Sequence, residues 1–317
     1  MSTRLERVRE LCATLFRCAE GLDRLRAEHP VGPLVEAAGG DTGAQLWGGT
    51  VGAPAKVNGA SFWFDDIEPT YEELDELIRY ASGDLCRDVF ADDAICDLAP
   101  AIHRVRAAYE RDKELVQARN LARAADAPAR LKRIIEQERY WAMGSELREA
   151  LAGAHHVLVA GSGPLPLTAL SIGANLDVRV TCVERDAECH ELGRSMIALS
   201  DLAHRIESIE ADVLEMRDFD AYDAIVGVVL LGVNCEGERR SFKTEIARHI
   251  IGHMAPGTRL VLRDPHGLGR LLYPSVTLEE SDAVTVVRHV PEVGPNRPYR
   301  SGLVVAERRS PDHGHAH

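Results

Sequence analysis

Residues 158–168 read LVAGSGPLPLT, the most informative stretch of the sequence for its fold. The apolar run from Val157 leads into the Gly-Ser-Gly turn at 161–163, as the first strand of a nucleotide-binding sheet leads into its glycine turn. Pro164 and Pro166 follow, where a dinucleotide fingerprint would have its third glycine. Proline has no backbone N–H, so the turn lacks donors that a pyrophosphate would use. The stretch predicts a strand-turn-helix unit whose ligand has no phosphate at the turn.

Short apolar segments continue after this turn and alternate with helix-like segments. Seven of them share strand-like length and composition: HVLVAG, VRVTCVE, IESIEAD, AYDAIVGVVLLG, TRLVLRD, AVTVVRH and GLVVAER. Strands that alternate with helices predict βαβ units and a mostly parallel sheet. The last two segments follow each other without a long helix, which predicts an antiparallel strand at the end of the sheet. We therefore expect an α/β fold with a Rossmann-like doubly wound sheet.

The region before this sheet is patterned as helices around one loop-like excursion. Apolar residues recur at helical spacing over 3–29, whereas 31–60 is rich in glycine. A capping-box pattern, Thr70 with Glu73, predicts that a helix restarts there.

Further helices are expected from about residue 97 to 123 and from 129 to 151. The predicted organisation is a helical domain over 1–150, a Rossmann-like domain over 151–309 and a disordered tail over 310–317. We expect the helical domain, with its loop 31–60, to serve as lid and acceptor side.

Composition excludes several classes of protein. Of the 317 residues, 45% are hydrophobic and 27% are charged, the mean hydropathy is -0.17 and the net charge is -13. This acidic balance argues against a nucleic-acid partner. No apolar run approaches the roughly 20 residues that span a bilayer, and the N-terminus lacks a signal-peptide pattern. The seven cysteines are scattered without a C-x-x-C pair, so we expect free thiols, a cytoplasmic location and no metal site.

Two acidic residues at strand ends indicate the type of ligand. Glu184 ends the second strand, 21 residues beyond Gly163, where an acid accepts hydrogen bonds from ribose hydroxyls. Asp212 ends the third strand, on the side expected for an adenine ring. Together with the proline-containing turn, this order favours S-adenosylmethionine over a dinucleotide.

Three longer motifs resemble the nicotianamine synthase family, including its bacterial metallophore-synthesising members. They are GSGPLPLT at 161–168, HMAPG at 253–257 and RDPHGLGRLLYP at 263–274. The third motif is similar to the family's R-x-x-H-G-x-x-x-x-L-Y-P segment. The resemblance covers roughly residues 130–308 and implies a sheet of the class I methyltransferase type.

The resemblance also implies an activity and a site. The family transfers the 3-amino-3-carboxypropyl (aminobutyrate) group of S-adenosylmethionine to an amine and releases methylthioadenosine. The residues expected to bind S-adenosylmethionine are Gly161, Ser162, Gly163, Pro164, Leu165, Glu184, Arg185, Asp212 and Val213. Those expected to contact the substrate are Arg263, His266 and Tyr273.

Proton transfer is assigned by the same resemblance to a Tyr and a Glu. Tyr140 matches the family's Tyr ahead of the glycine loop. Glu110 and Glu114 both fit the Glu, since their i, i+4 spacing puts them on one helix face, and we favour Glu110. Each of these residues could instead have a structural role. Tyr140 could pack helices against the sheet, the glutamates could be solvent-exposed, and Arg263 could pair with Asp264.

Several functions remain open at this point. The first choice is transfer to a small-molecule amine, giving a nicotianamine-like or opine-type metallophore precursor, with no metal required. One alternative is cyclisation of S-adenosylmethionine to azetidine-2-carboxylic acid and methylthioadenosine. Others are a small-molecule methyltransferase and a non-catalytic binding protein. Neither a nucleic acid nor a membrane is expected as partner, and a homodimer is left open.

Overall fold

The computed structural model describes residues 3–28, 61–136, 144–228, 231–233, 242–281, 283–289 and 302–309. The predicted loop 31–60, the tail 310–317 and Tyr140 therefore lie outside the described residues.

One seven-stranded sheet organises the C-terminal part of the chain. Its strands are β1 (His156–Ala160), β2 (Arg179–Glu184), β3 (Ile206–Glu210), β4 (Ala224–Gly227), β5 (Arg259–Asp264), β6 (Val284–His289) and β7 (Gly302–Arg308). They lie in the order β3-β2-β1-β4-β5-β7-β6, and β1 to β5 are parallel. The strand order reverses between β1 and β4, which opens a crevice at the carboxyl ends of the strands. The predicted Rossmann-like doubly wound fold is confirmed.

The antiparallel end of the sheet differs in detail from the expectation. The last strand, β7, lies between β5 and β6 and is antiparallel to both, so β6 forms the edge. Burial explains the order, because β7 is mostly buried, whereas Val287 on β6 is 47% exposed. A strand with a solvent-exposed face is suited to the edge of a sheet, and a mostly buried strand is suited to its interior.

Helices cover both faces of this sheet. They are α7 (Gly144–Ala150), α8 (Leu167–Asn175), α9 (Ala187–Leu199) and α10 (Lys243–His253), with short 3-10 turns at Phe219–Ala221 and Gly267–Leu271. The Asp186 side chain caps α9 by accepting a hydrogen bond from the Cys189 N–H.

The N-terminal part is helical, as predicted. Its helices are α1 (Thr3–Glu28), α2 (Ser61–Arg79), α3 (Gly83–Phe90), α4 (Asp93–Cys96), α5 (Ala99–Arg123) and α6 (Ala127–Glu136). The expected single helix over 129–151 is described as α6 and α7, which end and begin on either side of residues outside the described part.

The capping-box prediction at Thr70 is wrong. Helix α2 begins at Ser61, so Thr70 lies inside it and is buried, and Glu73 instead forms an ion pair with Arg7. The reason is packing, since Ile67 already belongs to the buried face that continues through Tyr71. A buried helix face upstream outweighs a local capping signal.

The core of the helical region includes a segment from the sheet domain. Leu268, Leu271 and Leu272, from the stretch after β5, pack with the buried residues of α1 to α5. Helix α5 is buried around much of its circumference and lies centrally among these elements. The chain division predicted at residue 150 is thus bridged by apolar contacts, and the division itself stays a prediction.

Within the described stretches, no helix is long and apolar enough to cross a membrane. The same stretches contain no cluster of three or more His, Cys, Asp or Glu residues arranged to hold a metal ion.

Candidate active site

The glycine turn after β1 has the left-handed backbone that its sequence predicts. Gly161 has φ +74° and Gly163 has φ +69°, a region that residues with a Cβ rarely adopt. The N–H groups of Gly161 and Ser162 both donate to the Val183 carbonyl oxygen, at 2.9 and 3.2 Å. The turn is therefore fixed to β2 by backbone hydrogen bonds.

The prolines behind the turn are part of the core. Pro164, Leu165 and Pro166 are all buried, and the Leu165 side chain packs in the apolar cluster of the sheet. Pro166 occupies the N-cap position of α8 without a side-chain cap hydrogen bond. The start of α8 thus lacks donors that would suit a pyrophosphate.

Glu184 links the glycine turn to the start of α9. Its Oε2 accepts a hydrogen bond from the Gly163 N–H at 2.9 Å, and its Oε1 accepts one from the Asp186 N–H at 3.0 Å. Each carboxylate oxygen has two lone pairs and can accept a second hydrogen bond, so Glu184 keeps acceptor capacity for a ligand hydroxyl.

The predicted residues after β2 and β3 lie near each other. Asp212 Oδ1 accepts a hydrogen bond from the Leu214 N–H at 2.9 Å, and its Oδ2 lies 3.8 Å from Arg185 Nη1. Val213 is buried beneath this turn. Because β1, β2 and β3 are parallel, the glycine turn, Glu184 and Asp212 all lie at the carboxyl ends of the strands, on one side of the sheet.

Helix α5 brings a further carboxyl group to the carboxyl ends of these strands. A Cβ added to Gly163 would lie 2.9 Å from Glu114 Oε2. The helix is held there by Arg111, whose Nη2 lies 2.6 Å from Asp186 Oδ2, and by an ion pair between Arg119 and Glu188. A residue of the helical region is thereby placed against the glycine turn.

The two candidate glutamates of α5 differ in their surroundings. Burial raises the pKa of Glu114 to about 8, with smaller contributions from the negative charges of Glu110 and Glu184. Glu110, in contrast, forms an ion pair with Arg106 at 2.5 Å. Carboxylates whose environments separate their proton affinities commonly divide acid–base roles.

The raised pKa of Glu114 predicts how stability depends on pH. The folded state keeps the proton up to about pH 8, whereas the unfolded chain loses it near its usual value of 4.5. Folding stability therefore falls as pH rises through that window. Glu114→Gln is expected to be more stable than wild type by a few kcal/mol at pH 8 and by almost nothing at pH 4.5.

Thermal unfolding from pH 4.5 to 8 measures this difference. Glu110→Gln is the matched control, because it leaves Arg106 buried without its carboxylate partner and should be destabilising at every pH. A stability difference for Glu114→Gln that does not grow with pH would contradict the assignment.

Sequence reasoning missed Arg106 and two of its three aromatic neighbours, Tyr71 and Tyr109. The Arg106 guanidinium lies 4.6 Å from the ring centre of Tyr71, 5.8 Å from that of Tyr109 and 5.4 Å from that of Tyr273. Its Nη2 donates a hydrogen bond to Tyr273 Oη at 2.8 Å. The one available signal was its position four residues before Glu110, on the same helix face.

Of the three residues predicted to contact substrate, Arg263 lies in β5, whereas His266 and Tyr273 follow that strand. Tyr273 reaches the Arg106 cluster, and burial raises the pKa of its phenol to about 12. His266 precedes the 3-10 turn, where burial lowers its pKa. The Arg263 carbonyl oxygen accepts a hydrogen bond from Lys243.

Asp264, the suggested partner of Arg263, contacts two other residues. Its Oδ1 accepts a hydrogen bond from the Val276 N–H at 2.7 Å, and its Oδ2 lies 3.4 Å from Arg288. Tyr140 cannot be placed against these groups, since it lies outside the described residues. Its role stays a prediction.

Comparison with known proteins gives one family for the second half of the chain. A family model described as nicotianamine synthase protein matches residues 137–311. Nicotianamine synthase 9 of Hordeum vulgare is 31% identical over 147 residues, which are 43% of this chain and 42% of that protein. Nicotianamine synthase 2 of Arabidopsis thaliana is 33% identical over 124 residues, which are 38% of this chain and 37% of that protein. The chain spans less than half the length of these curated relatives.

Solved structures resemble a larger part of the chain. A mutant of MtNAS in complex with S-adenosylmethionine matches with a TM-score of 0.61 and 18% identity, over 78% of this chain and 92% of that one. MtNAS in complex with MTA and tNA matches with a TM-score of 0.63 and 17% identity, over 93% of this chain and 97% of that one. At these identities the likeness shows a shared fold, which includes the helical region.

Proposed function

Because more than half of its length matches the family model, the chain belongs to the nicotianamine synthase family, and we propose that it is an aminobutyrate transferase. The proposed reaction transfers the 3-amino-3-carboxypropyl group of S-adenosylmethionine to a small-molecule amine and releases methylthioadenosine. The product would be a nicotianamine-like or opine-type metallophore precursor. The complexes of MtNAS with S-adenosylmethionine and with MTA support this choice of co-substrate.

One observation carries the proposal: the Glu114 carboxyl lies against the glycine turn and has a raised pKa. Glu184 binds the same turn, and Glu110 is near enough to contribute to the shift. The negative charges of Glu184 and Glu110 disfavour a pyrophosphate, whereas a bound cation would be attracted and would favour the ionised form of Glu114. A sulfonium compound with an ammonium group meets that requirement, whereas a dinucleotide does not.

The residues that would hold S-adenosylmethionine fit that molecule. Gly161 and Gly163 have no Cβ, so the backbone of the turn can approach a ligand closely beside Glu114. Glu184 would accept hydrogen bonds from the ribose hydroxyls, and Asp212 with Arg185 and Val213 would flank the adenine.

When bound, S-adenosylmethionine supplies an electrophilic carbon next to a sulfur leaving group. The nucleophile must be a neutral amine, so a nearby base has to take its proton as the carbon–nitrogen bond forms and the carbon–sulfur bond breaks. Glu114 is our candidate, because a pKa near 8 lets the carboxylate accept a proton close to neutral pH. Glu110 is engaged with Arg106 and would assist through its charge. This assignment reverses our initial preference for Glu110.

Tyr140 is retained in the proposal as a catalytic residue that would share proton transfer with the α5 glutamate and bind the amino-acid end of the substrate. The helical region would exclude water, which otherwise competes for the sulfonium. The described cysteines are all free thiols, which supports a reducing, cytoplasmic setting.

The test is mass spectrometry of the purified protein with S-adenosylmethionine, first alone and then with a panel of amines and amino acids. We expect methylthioadenosine to accumulate only when an acceptor is present, together with a product heavier than the acceptor by one aminobutyrate unit. Methylthioadenosine with azetidine-2-carboxylic acid, formed without acceptor, would replace transfer by cyclisation. S-adenosylhomocysteine as the by-product would identify a methyltransferase and refute the proposal.

A further inference from the structure

The segment that follows β5 leaves the sheet and returns to it through a narrow neck. Lys243 Nζ donates hydrogen bonds to the carbonyl oxygens of Arg263 at 2.5 Å and of Pro274 at 3.1 Å. Beside it, Asp264 Oδ1 accepts a hydrogen bond from the Val276 N–H at 2.7 Å. One lysine and one aspartate thus join the two ends of residues 263–276, which we call the β5 segment.

Lys243 is an unusual residue for this task. It is the first residue of α10, its exposed fraction is 0%, and lysine is rarely buried so completely. Burial lowers its pKa to about 7, an effect that the charge of Asp264 opposes. An amine keeps two N–H donors even when it is neutral, so Lys243 can donate hydrogen bonds to both carbonyl oxygens in its protonated and in its neutral form.

The β5 segment carries side chains into the helical region. Leu268, Leu271 and Leu272 are buried in its core, and the Arg270 carbonyl oxygen lies 2.9 Å from His103 Nε2 on α5. The segment is therefore held at its neck by Lys243 and at its far side by α5.

From the end of the segment, contacts lead towards the proposed site. Tyr273 directly precedes Pro274, and its Oη accepts a hydrogen bond from Arg106. Arg106 forms the ion pair with Glu110, whose charge contributes to the raised pKa of Glu114. Movement of the neck would thus change the surroundings of the carboxyl that lies against the glycine turn.

We propose that Lys243 is a positioning residue for the transfer reaction: by closing the neck of the β5 segment it sets Tyr273, and through Arg106 the α5 carboxylates, relative to the glycine turn. This inference rests on the proposed function for its kinetic consequence. The structural consequence, a neck that opens without Lys243, is independent of which reaction the protein catalyses.

The test compares Lys243→Met with Thr258→Val in the full chain. Methionine keeps most of the lysine stem but loses the donors. Thr258 is the matched control, because it is also buried and also donates to a carbonyl oxygen, that of Tyr222 at 3.1 Å, but just before β5 begins. Lys243→Met loses two hydrogen bonds at the neck, whereas Thr258→Val loses one outside it. Lys243→Gln, which retains an N–H donor, serves if the methionine variant does not fold.

Two measurements separate positioning from a general loss of stability. Hydrogen exchange followed by mass spectrometry should show amides of residues 265–276 exchanging at least tenfold faster in Lys243→Met than in Thr258→Val. Methylthioadenosine formation should show kcat lowered at least twentyfold and KM for S-adenosylmethionine changed less than threefold, since the hydrogen bonds described for the glycine turn, Glu184 and Asp212 go to groups outside residues 263–276.

Unchanged exchange in the β5 segment would overturn the inference, as would a kcat equal to that of Thr258→Val. An increase in KM as large as the loss in kcat would also overturn it, because Lys243 would then support co-substrate binding. If wild-type protein forms no methylthioadenosine with any amine, the proposed function fails, while hydrogen exchange still decides whether Lys243 closes the neck.

Discussion

Glu114→Gln is expected to lower kcat by at least about 10²-fold, the usual contribution of a general base, while the protein still binds S-adenosylmethionine. The carboxyl lies beside the glycine turn and has a pKa raised to about 8, so it is suited to taking a proton from an attacking amine. Glutamine has nearly the same shape and cannot accept that proton. The loss should therefore fall on kcat.

Initial rates of methylthioadenosine formation and calorimetric binding of S-adenosylmethionine measure this effect. Glu110→Gln is the matched control, because it lies one turn away on α5 and changes charge without touching the glycine turn. We expect a smaller loss for it, with the pH–rate profile shifted to lower pH, since a negative charge that raises the pKa of Glu114 has been removed. Equal losses in the two variants would assign proton transfer to the pair or to another residue.

Gly163→Ala is expected to lower kcat/KM by about 10²-fold or more. The residue has φ +69°, and an added Cβ would lie 2.9 Å from Glu114 Oε2 and disturb the N–H that donates to Glu184. The turn, Glu114 or both must move, and displacements of about 1 Å at a reacting centre can reduce rates by this amount.

Gly153→Ala separates this contact from the backbone effect. Gly153 has φ +77°, but an added Cβ meets nothing within 4 Å. Both variants should unfold at a lower temperature, because a left-handed residue with a Cβ costs about 1–2 kcal/mol. When activities are compared at equal concentrations of folded protein, only Gly163→Ala should have lost activity. Similar activity in the two variants would mean that Gly163 is needed only for its backbone conformation.

The predictions that succeeded from sequence depend on local pattern. Apolar strands that alternate with helices are enough to predict a doubly wound sheet, and the Gly161 to Gly163 turn follows from chain chemistry alone. The prediction of a capping box at Thr70 was wrong because it also depended on local pattern alone. A local motif contains no information about the buried helix face that already includes Ile67. The position of β7 inside the sheet likewise depends on burial, because β7 is mostly buried whereas β6 has an exposed face.

The sequence by itself was enough to predict the family and the sheet, because both are written in neighbouring residues or in motifs. It also predicted Glu184 at the end of β2, whereas β3 ends at Glu210 and Asp212 follows it; the ligand-binding roles of these two residues stay predictions. It could not choose between Glu110 and Glu114, which share a helix face and a side-chain type. The tertiary structure gives them different surroundings, since Glu110 pairs with Arg106 whereas Glu114 lies against the glycine turn, and our proposal of Glu114 as the base rests on this difference. A pKa depends on burial and on charges brought from distant parts of the chain, and those distances exist only after folding.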